Sequence, residues 1–370
     1  MTKPFCCIER LEEAGNAHLA YTASMSMKNP LHQSKPPKTA KQSRRNNAPF
    51  VRTESDLLHP DAHLAATGDP SGMIELELLD DLTTVSPPAG KSRPLAYSDL
   101  DVAQWRELTD IETDSLWIIP SRERRNGHQN DYHGNCIPQI LTQLITRFTK
   151  TGDTVLDMFL GSGTTAIEAA NLNRHTIGVE LQARMITLVQ QKLAEQNKTN
   201  EAVLIQGDSS HPHIVSAIQN ALQAQGKEQA QFLFLHPPYD DIIRFSEESS
   251  DLSNLSSTDA FLEQFEQVCR NGFDVLEPGR FAALVIGDKY TGGEWLPLGF
   301  WCMERMNRAG FKTKSIIVKN IEGNAKGKGQ MNNLWRYRAL VGGFYIFKHE
   351  YVFLFYKPPV KSARRSKKRS

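Results

Sequence analysis

Apolar and polar positions along this chain follow a strand rhythm and a helix rhythm in turn, most clearly from Asp153 to Leu235. Thr154 to Asp157 reads as a buried strand and Thr164 to Leu172 as a helix entered through Gly161-Ser162-Gly163. His175 to Glu180 reads as a second strand and Gln182 to Gln196 as an amphipathic helix. Ala202 to Gln206 and Gln231 to Leu235 read as two further strands. The alternation continues with a helix at Thr258 to Leu276, a strand at Arg280 to Ile286, a helix at Trp295 to Ala309 and a strand at Lys314 to Val318. It ends in a pair of strands, Phe344 to Phe347 and Tyr351 to Tyr356. Strands alternating with helices predict an α/β fold with a doubly wound, mostly parallel sheet, and the late pair predicts an antiparallel strand at one edge.

Upstream the rhythm is missing. Lys28 to Ala48 is rich in Lys, Arg, Pro, Ser, Gln and Asn, and Gly68 to Gly72 and Ser86 to Arg93 carry loop chemistry. Met73 to Leu82 between them fits a short helix or strand. Residues 1–95 are therefore expected to be a poorly ordered extension, residues 96–357 a globular domain, and residues 358–370 a disordered basic tail. From Lys357 to Ser370 the chain holds seven Lys or Arg and no acid, although the net charge of the whole is only +1. The mean hydropathy of −0.44 owes its leanness to the first hundred residues. No apolar run approaches the roughly 20 residues of a membrane helix. The first residues lack the apolar core of a signal peptide. Five cysteines (Cys6, Cys7, Cys136, Cys269, Cys302) form no CxxC pair and have no clustered His partners. Free thiols in a reducing cytoplasm are expected, with no metal site and no membrane partner.

Two short stretches carry candidate chemistry. DMFLGSGTT, Asp157 to Thr165, ends an apolar run and opens a helix. Gly161 and Gly163 let the backbone pass close to a ligand, and Thr164 and Thr165 can help cap the helix. In a doubly wound sheet, ligands sit beyond the carboxyl ends of the strands, where Asp157 and Phe159 lie. Glu180 ends the next strand 23 residues later, where an acid can accept both ribose hydroxyls. Asp208 follows the third strand and is placed to meet an adenine amino group. No GxxxxGK[ST] is present, which disfavours ATP or GTP, and GxG without a third glycine disfavours a nicotinamide nucleotide. The second stretch is HPPY, His236 to Tyr239, directly after the apolar run Phe232 to Leu235.

About 80 residues apart and in this order, the two loops resemble the cofactor and catalytic loops of S-adenosylmethionine-dependent DNA amino-methyltransferases, the N4-cytosine/N6-adenine DNA methylase family. RERRNGHQNDYHGNCIPQILTQLI (Arg122 to Ile145) resembles the segment before the cofactor loop. LEPGRFAALVIGDKY (Leu276 to Tyr290) and FYIFKHEYVFLFYK (Phe344 to Lys357) resemble the later strands, so the likeness covers roughly residues 120–357. It implies a Rossmann-like class I methyltransferase fold and S-adenosyl-L-methionine as cofactor. Tyr132, Asn135 and Gln139 would then meet the methionine end. Asp157, Phe159, Gly161, Gly163, Thr164, Glu180 and Asp208 would line the rest. His236, Pro237, Pro238 and Tyr239 would form the catalytic loop.

An exocyclic amino nitrogen is a poor nucleophile because its lone pair is conjugated with the ring. Acceptors must draw its N–H bonds out of plane, and an aromatic face must hold the base once it leaves the duplex. The Pro237 carbonyl and a neutral ring nitrogen of His236 are such acceptors, and Tyr239 is such a face. The family usually carries Asp, Asn or Ser where this chain has His236, which leaves the base open between adenine and cytosine and inclines the reading weakly to cytosine N4. None of the five cysteines follows a proline, which argues against a C5-cytosine enzyme. Asp288 and Lys289 either line the base pocket or form a surface ion pair. Double-stranded DNA is the expected partner, in a restriction-modification role with a cognate endonuclease or in a solitary one, in a prokaryotic or phage-like nucleoid. Recognition is expected from Asp240 to Ser257, from Lys319 to Gly342, where Lys319, Lys326, Lys328, Arg336 and Arg338 interleave with Trp335 and Tyr337, and from the N-terminal arm, with the basic tail Lys357 to Arg369 adding sequence-independent affinity. An RNA or protein-amide methyltransferase and an inactive DNA-binding relative are the competing readings.

Overall fold

The computed structural model describes residues 94–124, 127–128, 134–321 and 330–359. The expected disordered extension up to residue 93, the tail from residue 360, Tyr132, Lys326 and Lys328 lie outside the described residues.

Eight strands form one sheet: β1 (Leu116–Trp117), β2 (Thr154–Asp157), β3 (His175–Glu180), β4 (Ala202–Gln206), β5 (Ala230–Leu235), β6 (Leu276–Ile286), β9 (Lys312–Asn320) and β10 (His349–Tyr356). β7 (Lys289–Thr291) and β8 (Glu294–Leu296) form a separate hairpin. The order across the large sheet is β1-β9-β10-β6-β5-β2-β3-β4. β2 to β6 are parallel neighbours, and β10 runs antiparallel to both β6 and β9. The protein is thus an α/β, mostly parallel, Rossmann-like sheet. Its late antiparallel strand lies toward one side, with β9 and the short β1 outside it.

β5 reads AQFLFL, and every residue of it is buried. A parallel strand covered on both faces needs such a run. Leu233, Leu235, Leu284, Ile286, Phe353 and Phe355 point to one face and share a core with Ile218, Leu222, Phe261, Phe265, Cys302 and Met306. These last come from α4 (His213–Ala224), α5 (Thr258–Val275) and α6 (Leu298–Arg308). Phe232 and Phe281 face the other way, where both rings meet Phe148 of α1 (Pro138–Phe148). Two helices connect the first strands, α2 (Thr164–Asn171) and α3 (Ala183–Glu195). α5 begins where Ser257 accepts the Ala260 N–H at 3.1 Å with Asp259 in the first turn, a cap plus a favourable dipole contact.

Three local expectations change. The helix expected from Trp295 starts at Leu298, because Gly292-Gly293 turns the chain into the β7–β8 hairpin first. Phe344 to Phe347 is not a strand; Phe344 packs on Tyr290 and Phe347 on Trp295, with ring centroids 4.7 and 4.0 Å apart. Thr164 and Thr165 do not cap α2. They are its first two residues, and the N-cap is Gly163 at φ +85° with no side-chain bond.

Candidate active site

The strand order reverses between β2 and β5, which lie side by side with Asp157 opposite Phe234. Loops leaving the carboxyl ends of two such strands diverge and leave a crevice. DMFLGSGTT leaves β2 and HPPY leaves β5, so the two stretches singled out by sequence face one crevice.

The first loop is held by acids. Asp157 is buried, and its Oδ1 accepts the Phe159 N–H at 2.9 Å. Burial raises its pKa to about 7, outweighing the opposing hydrogen bond from Thr165 and that of the Phe159 amide. Glu180 accepts the Gly161 N–H at Oε2 and the Gln182 N–H at Oε1, both at 2.9 Å. Burial raises its pKa too. A carboxylate has about four lone-pair sites, so Glu180 keeps acceptor capacity for a ligand hydroxyl. Asp208 is half-buried and accepts the Ser210 N–H at 2.8 Å. Gly163 packs so tightly on α3 that a Cβ there would stand 2.7 Å from Val189 Cγ1.

Asn135 joins this loop: its Oδ1 accepts from the Ser162 hydroxyl. Its Nδ2 is buried and has no hydrogen-bond partner among the described residues. A buried donor without a partner is costly, and a ligand carboxylate beside the glycine loop would supply the acceptor. The donor set therefore fits a ligand with a carboxylate at one end and a ribose at the other. Gln139 has a different task. It accepts the Glu123 N–H at 3.1 Å and donates to the Ser121 carbonyl at 2.8 Å, so it orders the approach to α1. Among the described residues no three His, Cys, Asp or Glu are grouped to hold a metal ion.

The second loop is held from the far side of the sheet. The Tyr239 hydroxyl donates to Glu350 Oε2 at 2.9 Å, and His236 Nε2 lies 3.3 Å from the Tyr239 hydroxyl. Lys319 Nζ donates to Glu350 Oε1 at 2.9 Å. Lys319 and Glu350 are direct cross-strand partners on β9 and β10. Burial lowers the His236 pKa against the raising pull of Glu350, so the imidazole is neutral near pH 7. Gly287, just past β6, lets the Tyr239 ring lie close; a Cβ there would stand 3.0 Å from Tyr239 Cε2. The next residue, Asp240, sits at φ +54°, an uncommon conformation for a non-glycine residue. Its Oδ2 accepts from Thr258 at 2.6 Å and from Lys289 at 3.0 Å. Lys289 is therefore committed to an ion pair with Asp240 and Asp241. Asp288 accepts from the Gly299 N–H, the Trp295 indole and the Tyr351 hydroxyl, which fixes the start of α6 rather than a base.

Lys319 corrects the sequence reading. It is 2% exposed and ion-paired, so it cannot meet a phosphate from solution. Glu350 is the site residue that sequence reasoning missed. It sits at the mouth of an apolar strand, but only the sheet order brings it to Tyr239. Helix α7 (Gln330–Gly342) does carry basic and aromatic groups together. Arg336 is exposed, and Arg338 lies 5.2 Å over the half-buried Trp335 ring. Tyr337 and Tyr345 are 64% and 87% exposed.

The DNA methylase family of N6/N4 type matches residues 31–191, and a family described as conserved hypothetical protein 95 matches residues 140–264. The type II methyltransferase M.BglI of Bacillus subtilis is 42% identical over 74 residues, 20% of either chain. M.MjaI of Methanocaldococcus jannaschii, also a type II methyltransferase, is 30% identical over 105 residues, 28% of this chain and 34% of its own. The chain thus spans about a fifth to a third of the length of these relatives. The solved structure of TrmN from Thermus thermophilus overlays on 60% of this chain and 48% of its own at 16% identity and a TM-score of 0.37, too distant to speak to the site. The family matches fall on β2, β3 and β5 and on the loops that leave β2 and β5, and by them the chain is similar to the N4/N6 DNA amino-methyltransferases.

Proposed function

We propose that this chain methylates an exocyclic amino group of a base in double-stranded DNA, cytosine N4 or adenine N6. The observation that carries the reading is that the glycine loop and HPPY leave the carboxyl ends of adjacent parallel strands, β2 and β5, at the switch point of the sheet. S-adenosylmethionine supplies an electrophilic methyl group when bound. Asn135 would hold its carboxylate, Glu180 its ribose and Asp208 its adenine amino group. The neutral His236 ring and the Pro237 carbonyl would accept the two N–H bonds of the target, freeing its lone pair toward the methyl carbon. Tyr239 would stack on the flipped base, with Pro238 stiffening the loop. The contribution is positioning rather than a covalent intermediate. The inclination to cytosine N4 rests only on His236 standing where adenine enzymes usually carry Asp.

DNA contact is assigned to α7 and the loop before α5. Arg336 and Arg338 would meet phosphate and Trp335 would stack. A role in the cytoplasm, solitary or paired with an endonuclease, is part of this proposal, and likeness to type II methyltransferases supports the paired form. The test is sequencing, by a method that reports modified bases, of DNA from a methylation-deficient host expressing the chain. A modified base in one short motif supports the reading and names the base. Unmodified DNA with cofactor bound would shift the substrate to RNA or a protein amide, and unmodified DNA without cofactor binding would favour an inactive DNA-binding relative.

A further inference from the structure

The hydrogen bonds around Tyr239 have a direction. Its hydroxyl has one proton, and the 2.9 Å bond to Glu350 uses it. Glu350 is a carboxylate that also accepts from the buried ammonium of Lys319 at 2.9 Å, so it has no proton to give back. The Tyr239 oxygen is therefore left as an acceptor toward His236 Nε2, 3.3 Å away. A neutral imidazole carries one N–H. If that hydrogen is on Nε2, the lone pair is on Nδ1.

We propose that Glu350, held by Lys319, is a positioning residue that sets the His236 tautomer through the Tyr239 hydroxyl, so that Nδ1 faces the target amino group as an acceptor and then takes its proton. This rests on the proposed base methylation. The balance is simple. The N–CH3 bond forms as the S–CH3 bond breaks, and the nitrogen then carries one hydrogen too many. That proton moves to Nδ1, and the resulting imidazolium keeps its Nε2–H on the Tyr239 oxygen, one bond from the Glu350 charge. The logic resembles the acid–histidine pair of a hydrolytic triad with a phenol inserted. An Asp at position 236 would need no such support, since a carboxylate accepts from either oxygen. Histidine does need it, because only one of its tautomers accepts in the required direction. The groups facing His236 are Glu350 on β10, Lys319 on β9, Arg122 before α1 and Tyr239 in its own loop. Glu350 is the one carboxylate among them.

The test compares wild type with Glu350→Gln and with the double variant Lys319→Met/Glu350→Gln, which removes the buried charge pair together and so guards against an unpaired ammonium. An amide can donate to the Tyr239 oxygen, which turns the phenol proton toward His236. Expected is a fall in kcat of about 100-fold with cofactor affinity within about twofold in both variants. The acid limb of the kcat profile should move to lower pH, because the carboxylate that raises the His236 pKa is gone. A merely structural role would not move that limb. Unchanged kcat and an unmoved limb in variants that stay folded would overturn the proposal. Histidine-ring nitrogen NMR, with His236 identified by His236→Asn, reads the tautomer without turnover. Nε2–H in wild type and a changed population in Glu350→Gln support the assignment even if DNA proves not to be the substrate; Nδ1–H in wild type refutes it even if DNA is methylated.

Discussion

Glu180 fixes the glycine loop after β2 by accepting two backbone N–H groups, one of them 19 residues away in sequence. Glu350 fixes the HPPY loop after β5 by accepting one phenol hydroxyl 111 residues away. Both are buried or nearly so acids at the mouth of a strand. One binds backbone and shapes a turn; the other binds a side chain and aims it. The difference teaches where each loop is vulnerable. Damage to the first should show in affinity and stability, and damage to the second in turnover.

The sharpest way to break the comparison is Tyr239→Ala. It removes the stacking face and the link between His236 and Glu350 at once. Turnover should fall by about a thousandfold or more, while isothermal titration finds S-adenosylmethionine affinity nearly unchanged. Methyl transfer at the wild-type rate would mean that HPPY is not the chemical loop. The reciprocal change is Glu180→Ala. Two charge-assisted bonds to backbone are lost, each worth about 1.5–3 kcal/mol, along with the expected ribose contact. Cofactor Kd should rise by about 100-fold, and saturating cofactor should restore most of kcat. A defect in kcat that saturation does not cure would dissolve the division of labour between the loops.

The same contrast explains what was legible in the sequence. β2, β3, β4 and β5 were readable within a residue; β5 is buried on both faces and leaves a continuous apolar run, while the half-exposed edge strand β4 showed through its short run Ala202 to Ile205. Asp157, Gly161 and Gly163 fall within one short loop and Glu180 ends the next strand, so the order of elements alone was enough to group them. α4 was passed over, although Ile214, Ile218 and Leu222 recur at helical spacing, because Gln and Asn between them dilute the pattern. Lys319 was misplaced for a different reason. Basic residues near aromatic ones look alike on a surface and in a sheet, and only the β9–β10 register puts Lys319 opposite Glu350. Side chains that act across strands far apart in sequence leave no periodic trace.

Stability offers a third separation. Gly163→Ala puts a Cβ 2.7 Å from Val189 Cγ1 at φ +85°. The backbone strain is about 1–2 kcal/mol and the overpacking about 1–3 kcal/mol, so a loss of about 2–5 kcal/mol is expected by chemical denaturation. Val189→Ala in the same chain should recover part of the overpacking and none of the backbone strain. A fully stable Gly163→Ala protein would contradict the packing of α2 on α3.

A subtler reading of the same loop comes from pH. The Asp157 pKa of about 7 lies above its ordinary 3.8, so the folded protein holds that proton more tightly than the unfolded chain. Its contribution to stability is complete below about pH 4 and is lost as pH rises through 7. Asp157→Asn should remove this part of the slope when Tm is followed between pH 5 and 8, a window taken from that shift. An identical slope in both proteins would show that the buried acid is already charged.

Gly287 is the counterpart of Gly163 beside HPPY, and its substitution should have the smallest effect of all. Its backbone is not in the left-handed region, so an added methyl costs no strain there. The new Cβ would meet Tyr239 Cε2 at 3.0 Å, a contact the ring can relieve by moving a few tenths of an ångström. Glu350 and His236 hold the other end of that ring, so the shift tilts the phenol rather than displacing it. Misplacement by a full ångström costs about 100-fold, so a tilt of this size should lower kcat about threefold, with Tm and cofactor affinity unmoved. Gly163→Ala lowers stability with chemistry intact; Gly287→Ala lowers chemistry with stability intact. If both variants lost the same property, the two loops would be one cooperative unit, and the separation drawn from Glu180 and Glu350 would fail at its weakest perturbation.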